Sequence, residues 1–246
     1  MPAKSTASSQ LSAHSLSFSF DQTPVLKDVD FELPSGSVTA LIGPNGVGKT
    51  TLLQLIAGML PLPPADSGAR ITVGGHSLHT DLEAAKAAQQ LVTDNPKVYP
   101  YLTGREFLQL HASLRDLSSQ QVDTAITDIA SRFPGSLPLD EPLRDQSRGT
   151  RQKIQIISAF MTEPTVLLFD EPIVGLDPAS VTVLGELIAE YVHGDSAIQT
   201  VLLALHTLSF AQDYADDVLV LHNGYLSDPI SLKGKNIYDI YEEQTA

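Results

Sequence analysis

Cysteine is absent from this chain of 246 residues, and positive charge is scarce. Without a thiol there is no disulfide framework, no thiolate nucleophile and no cysteine-ligated metal site. The chain has 15 Lys and Arg against 29 Asp and Glu, which leaves a formal net charge of −14. A chain this acidic lacks the positive field with which nucleic-acid-binding proteins neutralise phosphates, so we expect no nucleic-acid partner.

Long apolar runs are missing as well. The longest, such as 166–169 and 201–205, are far shorter than the roughly 18 residues that indicate a membrane-spanning helix. Residues 1–10 contain one Lys and no apolar stretch, which argues against a secretory signal. We therefore expect a soluble, intracellular protein that would work at a membrane only by docking to it.

The hydrophobic content of 42% is enough for an ordinary globular core. Apolar runs of strand length alternate with segments of helical periodicity near 38–60 and again from 166 onward. This alternation predicts an α/β fold with a mainly parallel, doubly wound sheet. Segments between about 81 and 152 are rich in Ala, Gln, Leu and Glu, and we interpret them as a helical lobe inserted into the core.

The chain length favours one domain with two lobes over two independent domains. We assign residues 1–10 to a flexible N-terminal lead and residues 11–246 to a single domain. Within that domain, the core is predicted to comprise 11–80 and 153–230, and the helical lobe about 81–152. Residues 231–246 form a C-terminal extension.

A glycine-rich loop follows the apolar segment 38–42. The pattern G-x-x-x-x-G-K-[ST] is matched by Gly43, Pro44, Asn45, Gly46, Val47, Gly48, Lys49 and Thr50, and Thr51 follows. Glycines let the backbone turn its N–H groups onto phosphate oxygens, and the helix that begins near Lys49 adds the positive end of its dipole. Lys49 supplies a mobile charge for the outer phosphates of a nucleotide, and the Thr50 hydroxyl can bind Mg²⁺.

Two acids, Asp170 and Glu171, close the apolar strand predicted at 166–169. In doubly wound folds the carboxyl ends of parallel strands form the edge where ligands bind. We expect Asp170 to hold Mg²⁺ through water and Glu171 to polarise a water molecule in line with the terminal phosphate.

A third motif, Gln146-Ser147-Arg148-Gly149-Thr150-Arg151-Gln152-Lys153, resembles the Leu-Ser-Gly-Gly-Gln signature of ATP-binding-cassette (ABC) proteins and its extension. The resemblance covers about residues 15–224 and implies a P-loop NTPase core with a mainly parallel sheet, an antiparallel β subdomain and an inserted helical subdomain. It also implies ATP and Mg²⁺ as cofactors. In this family Ser147 and Gly149 of one subunit would grip the γ-phosphate held by the other. The sequence departs from the signature at Gln146, Arg148 and Thr150.

Further matches carry roles that the resemblance implies. Phe20 is in the position of an aromatic residue that stacks on adenine, and His206 is in that of a histidine that contacts the γ-phosphate. The segment 175–178 resembles a loop that crosses to the partner subunit. The family also has a Gln that senses Mg²⁺ and the attacking water. Here the alignment puts Asp94 in that position as a metal-site residue, with Asn95 as the alternative.

Two functions remain open at this point. The first is the ATPase subunit of a transporter, peripheral on the inner face of the cell membrane, paired with a second copy of itself or a paralogous ATPase. It would drive a separate integral membrane permease that docks at Tyr99–Thr103, and the stretch 148–153 resembles ATPases of exporters. The second is a soluble ABC ATPase without a transport function, such as one for iron–sulfur cluster assembly.

Overall fold

The computed structural model describes residues 9–94, 99–194 and 199–245. Its strands are β1 (Ser9–Phe20), β2 (Thr23–Pro34), β3 (Ser37–Ile42), β4 (Arg70–Val73), β5 (His76–Ser77), β6 (Gln89–Val92), β7 (Val166–Asp170), β8 (Thr200–Leu205), β9 (Asp217–His222), β10 (Tyr225–Leu226) and β11 (Ile230–Ser231). Its α-helices are α1 (Lys49–Ile56), α2 (Leu82–Ala87), α3 (Gly104–Ser113), α4 (Ser119–Ala130), α5 (Arg148–Met161), α6 (Pro178–His193), α7 (Leu208–Tyr214) and α8 (Ile237–Thr245).

The strands form two sheets. A four-stranded antiparallel sheet has the order β2-β1-β4-β5. A seven-stranded sheet has the order β10-β9-β3-β8-β7-β6, with β11 paired to β9. Strands β9, β3, β8, β7 and β6 are parallel, whereas β10 and β11 run antiparallel to β9. The predicted α/β class, with a mainly parallel sheet and an antiparallel β subdomain, is confirmed.

The central strands β3, β7 and β8 are buried along their whole length, which is why they read as continuous apolar runs. Successive side chains of a strand point to opposite faces and therefore enter different cores. Phe169 of β7 belongs to a core shared with α5 and α6. Its neighbour Leu168 belongs to a second core with α1 and the antiparallel sheet. The parallel sheet is thus the middle layer, and its edge is held in place from both sides.

The helical lobe consists of α3, α4 and the α5 helix on which both pack. Thr103 and Ser118 start α3 and α4 with reciprocal capping boxes, as Thr-x-x-Glu and Ser-x-x-Gln patterns predict. The segment 82–92, which the sequence pattern assigns to this lobe, instead forms α2 and the edge strand β6 of the main sheet. The first helix of the lobe is α3, so the lobe begins later than the predicted boundary near residue 81.

The two ends of the described chain both join the core. Strand β1 already includes Ser9 and Gln10, which the sequence analysis places in the flexible lead; residues 1–8 lie outside the described residues. Helix α8 buries Ile237 and Ile240 against β9 and α7. None of the described helices combines the length and the apolar character needed to cross a membrane.

Candidate functional site

A cleft of about 330 Å³ opens at the carboxyl edge of the parallel sheet. The end of β1, the loop after β3, the start of α1 and the end of β7 all contribute to it. Its lining consists of Phe20, Val25, Asn45, Gly46, Gly48, Lys49, Thr50, Thr51, Asp170 and Glu171. The fold therefore brings together three features predicted from separate parts of the sequence: the aromatic residue, the glycine-rich loop and the acidic pair.

Gly48 occupies a position in the glycine-rich loop where the backbone favours glycine. Its φ of 119° lies in the left-handed region, and a Cβ at this position would lie 2.9 Å from Cγ1 of Val25. Gly48 is also the N-cap of α1, and among the described residues no side chain caps this helix start. The first-turn N–H groups of α1 thus remain available to an anion in the cleft.

Lys49 is buried, with 6% of its surface exposed. Its Nζ donates hydrogen bonds to the carbonyl oxygens of Gly43 at 2.7 Å and Pro44 at 3.3 Å. Burial lowers the pKa of Lys49, and the nearby carboxylates of Glu171 and Asp170 act in the opposite direction. A phosphate oxygen in the cleft would be a stronger, charged acceptor for this desolvated ammonium group than a neutral carbonyl is.

Asp170 and Thr50, the residues predicted to hold Mg²⁺, lie together at one edge of the cleft, which we call the metal edge. Asp170 is 4% exposed and is hydrogen-bonded to the Thr50 side chain. Burial raises the pKa of Asp170; the Thr50 hydrogen bond opposes this, while the charges of Asp94 and Glu171 add to it. A cation beside Asp170 would relieve this unfavourable burial of charge.

The donor chemistry of this edge fits Mg²⁺. A hydroxyl and a carboxylate are the hard oxygen ligands that Mg²⁺ prefers, and it usually binds one or two protein groups together with phosphates and water. Within the described part of the chain, no group of three His, Asp or Glu side chains is arranged to hold a metal by itself. The sparse donor set at Thr50 and Asp170 therefore matches a cation that is completed by nucleotide phosphates.

Glu171 and His206 meet at the ends of two neighbouring strands. Nδ1 of His206 lies 2.6 Å from Oε2 of Glu171, within hydrogen-bond distance. Glu171 has a φ of 51°, a left-handed conformation rare for a residue with a side chain, and its N–H donates to the carbonyl oxygen of Ala204 on β8. Such a conformation at an acidic residue beside a phosphate loop is the kind of strain found at functional sites. His206 also lines a smaller cavity of about 200 Å³ with Gly43, Pro44 and Asn45.

The signature segment lies apart from this cleft. Ser147 is the exposed N-cap of α5, and its Oγ accepts a hydrogen bond from the N–H of Thr150 at 3.1 Å. A Cβ on Gly149 would lie 2.4 Å from the carbonyl oxygen of Gly175, so glycine is required for this close approach. Within the described residues, neither Ser147 nor Gly149 lines the cleft of its own chain. The role of both residues in the site of a partner subunit therefore stays a prediction.

The departure at Gln146 has a local structural reason. Gln146 is buried, and its Nε2 donates to the carbonyl oxygens of Pro138 at 2.8 Å and Glu141 at 2.9 Å. These bonds hold the loop that leads into α5, a task that an apolar residue could not perform by hydrogen bonding.

Two basic residues of the signature stretch have contacts that the sequence analysis misses. Lys153 donates to Oδ2 of Asp177 at 2.9 Å, and this hydrogen bond lowers the pKa of Asp177, which is also the N-cap of α6. Arg148 donates from Nη2 to the carbonyl oxygen of Asp94 at 2.7 Å. The alternative sensor, Asn95, lies outside the described residues. The sequence contains one indication of the Arg148–Asp94 contact: both residues depart from the family pattern, and they carry opposite charges.

Comparisons with known proteins agree with this geometry. A family model described as ABC transporter matches residues 26–174. The chain is 31% identical to the ABC-type transporter ATP-binding protein EcsA of Bacillus subtilis (strain 168), over 96% of this chain and 97% of that one. It is 32% identical to the uncharacterized ABC transporter ATP-binding protein YdbJ of the same organism, over 85% of this chain and 65% of that relative.

A solved structure described as the ATP binding subunit of an ABC transporter is also similar to this chain. The two superpose with a TM-score of 0.85 at 29% sequence identity, over 95% of this chain and 98% of the other. The match therefore extends across both sheets and the helical lobe, beyond the segment covered by the family model.

Proposed function

This chain belongs to the ABC transporter family, whose members bind ATP, and we propose that it is the ATP-hydrolysing subunit of a transporter with a separate membrane permease. The observation that carries this proposal is the convergence of Lys49, Thr50, Asp170, Glu171 and His206 at one edge of the sheet. An ATP-binding scaffold without hydrolysis would not need the Glu171–His206 pair.

Binding of the nucleotide uses the cleft residues in order along its length. Phe20, 47% exposed and packed edge-to-face on Phe18, offers a ring face for adenine at the outer end. The loop 43–48 and the uncapped start of α1 surround the phosphates with N–H groups. Lys49 exchanges its carbonyl acceptors for phosphate oxygens, and Thr51 lines the cleft beyond it.

Hydrolysis depends on the residues at the ends of β7 and β8. Thr50 and Asp170 would hold Mg²⁺, which supplies charge neutralisation for the phosphates when bound. Glu171 accepts hydrogen bonds from a water molecule and draws off its proton as that water attacks the γ-phosphate. Nδ1 of His206 lies within hydrogen-bond distance of the Glu171 carboxylate, and the histidine would contact the γ-phosphate.

A second subunit would complete each site. Ser147 and Gly149 at the start of α5 would cover the γ-phosphate bound by the partner, since they do not line the cleft of their own chain. The loop 175–178 would cross beside them, because Lys153 and Gly175 tie that loop to the same end of α5. The partner is a second copy of this chain or a paralogous ATPase.

The permease would dock on the exposed aromatic residues before α3. Tyr99 and Tyr101 have 59% and 78% of their surface exposed, and the Arg144 guanidinium lies over the Tyr101 ring. Aromatic residues with a neighbouring Arg are typical anchors of protein interfaces. Docking there would place the chain on the cytoplasmic face of the membrane, and the basic stretch 148–153 supports export as the direction of transport.

The test combines hydrolysis with co-purification. The purified chain should hydrolyse ATP only with Mg²⁺ present, and it should co-purify with a multi-span membrane protein encoded nearby. Replacing Tyr101 by Ser should abolish co-purification and leave basal hydrolysis unchanged. If the chain hydrolyses ATP but no membrane protein co-purifies with it from native membranes, the result would instead favour a soluble ABC ATPase.

A further inference from the structure

Arg148, a departure from the family signature, contacts two other segments of the chain. It is the first residue of α5, and its Nη2 lies 2.7 Å from the carbonyl oxygen and 3.7 Å from the carboxylate Oδ2 of Asp94, just after β6. Its aliphatic stem packs beside Gly175, whose Cβ, if present, would lie 3.5 Å from Cγ and Cδ of Arg148. One side chain thus joins the signature segment, the loop after β7 and the chain after β6.

Asp94 in turn leaves the sheet at the same edge as Asp170. Val92, the last residue of β6, pairs with Phe169 of the parallel strand β7, so the chain just after each strand lies at the carboxyl edge of the sheet. The charge of Asp94 also contributes to raising the pKa of the buried Asp170. A carboxylate in this position has two possible electrostatic partners, the Arg148 guanidinium on one side and a cation on Thr50 and Asp170 on the other. Without either partner it would repel the phosphates of a bound nucleotide.

We propose that Arg148 is a positioning residue that holds the Asp94 carboxylate against the start of α5, away from the phosphate site, and that a divalent cation at Thr50 and Asp170 competes with Arg148 for it. In the nucleotide-free chain the contact fixes α5 relative to the main sheet. When the cation is bound, Asp94 turns toward it and Arg148 is released. This inference rests on the proposed binding of Mg²⁺ and ATP.

A direct effect of the Arg148 charge on ATP and a positioning effect through Asp94 predict different changes in ATP affinity. If Arg148 acted only through its own charge, replacing it would weaken ATP binding by the same factor whether or not Asp94 were charged. If Arg148 holds Asp94 back, its loss frees a carboxylate to approach the phosphates, and the penalty disappears once Asp94 is neutral. The coupling between the two substitutions therefore reports positioning itself.

The experiment is a double-mutant cycle with ATP as the probe, measured by titration calorimetry in EDTA and again in Mg²⁺. Arg148→Gln should weaken metal-free ATP binding by about fivefold, a factor within the range of measured coupling between contacting residues. The same substitution made together with Asp94→Asn should change affinity by less than about twofold relative to Asp94→Asn alone. With Mg²⁺ the penalty of Arg148→Gln should vanish, because the freed carboxylate then faces a cation.

Two further variants make the result decisive. Arg148→Lys retains the charge and should restore metal-free affinity to near the wild-type value. Arg144→Gln removes a half-exposed arginine that lies 3.5 Å from its own acidic neighbour, Asp145, and should have no metal-dependent effect. Equal penalties for Arg148→Gln in the wild-type chain and in the Asp94→Asn variant, or the same penalty with and without Mg²⁺, would overturn the inference while leaving ATP binding intact. Absence of ATP binding by the wild type would overturn the proposed function as well.

Discussion

The cleft at the carboxyl edge of the sheet and the start of α5 are stabilised by different contacts. The cleft residues Lys49, at the start of α1, and Asp170, at the end of β7, are almost fully buried, and β7 is covered on both faces. Ser147 and Arg148 are exposed and are positioned by hydrogen bonds with the segments around them. The cleft follows its sequence pattern throughout, whereas the signature segment departs from it at three positions.

This difference follows from which residue substitutions each motif can tolerate. In the glycine-rich loop, Gly43 and Gly48 are required by backbone geometry, and Lys49 and Thr50 supply the ammonium and hydroxyl groups that suit phosphate and metal. At the start of α5, a buried Gln146 and a charged Arg148 make contacts with neighbouring segments that stabilise an altered pattern. Only Ser147 and Gly149, which have a capping and a close-packing requirement, keep the family residue there.

The substitution Glu171→Gln is expected to have the largest effect on ATP turnover. It should lower ATP turnover by about 10²- to 10⁴-fold, since an amide cannot take a proton from water. Nucleotide affinity should be retained, because the shape of the side chain is nearly unchanged. Steady-state phosphate release measures the first effect, and calorimetric titration measures the second.

The other end of β7, the strand that Glu171 follows, offers a matched control. Glu163 lies in the loop before β7, is exposed, and has a similar left-handed φ of 43°. Glu163→Gln removes the same charge at the opposite end of the strand and should leave turnover unchanged. Equal turnover losses in both variants would show that general charge removal, and not the position of Glu171, is responsible.

Lys49→Ala should have the next largest effect. Loss of one charge-assisted phosphate contact costs roughly 1.5–3 kcal/mol of binding free energy, which is about 10- to 150-fold in affinity. The dissociation constant for ATP measures it, with Lys86→Ala on the exposed face of α2 as the control. An unchanged dissociation constant for Lys49→Ala would refute our account of the loop.

Gly149→Ala tests the close packing at the start of α5. Alanine is the better helix former by up to ~1 kcal/mol, but its Cβ would overlap the carbonyl oxygen of Gly175. We expect the overlap to dominate, with a net loss of about 1–3 kcal/mol in the free energy of unfolding. Urea unfolding measures this free energy. A more stable variant would mean that the loop 175–178 can move away from the added Cβ with no loss of stability.

Ser147→Ala should have the smallest effect on stability, about 1 kcal/mol for the loss of one N-cap. Ser118 likewise accepts a hydrogen bond from the N–H three residues on, within its capping box, and does not line the cleft, so Ser118→Ala should cost a similar amount. The two variants should differ in hydrolysis, because only Ser147 is proposed to touch the nucleotide of the partner. Similar ATPase rates in both would restrict Ser147 to capping.

The sequence was informative where a residue type is dictated by local physics. Strand β8 contains the apolar run 201–205, and Asp177 and Pro178 start α6 as N-cap and first residue, positions that Asp and Pro favour. The site residues of the glycine-rich loop and the acidic pair could be named from their motifs, and the structure brings them to one cleft.

What the sequence could not give depends on contacts between distant segments. The start of the short strand β6 is predicted as helical because Gln and Ala are common in helices, but pairing with β7 overrides that preference. Glu171 has a left-handed backbone and donates its N–H to Ala204 on the neighbouring strand, a contact that no local pattern reveals. The Arg148–Asp94 contact joins residues on different lobes, so it required the folded arrangement.

The central claim is that two chains close around ATP, each supplying its phosphate loop to one nucleotide and its signature segment to the other. Light scattering coupled to size-exclusion chromatography tests it directly on Glu171→Gln, which should hold ATP without hydrolysing it. With saturating ATP and Mg²⁺ the account predicts twice the monomer mass, and the monomer mass again when Ser147→Ala and Gly149→Ala are added. A Glu171→Gln chain that binds ATP and remains monomeric would contradict self-pairing around the nucleotide.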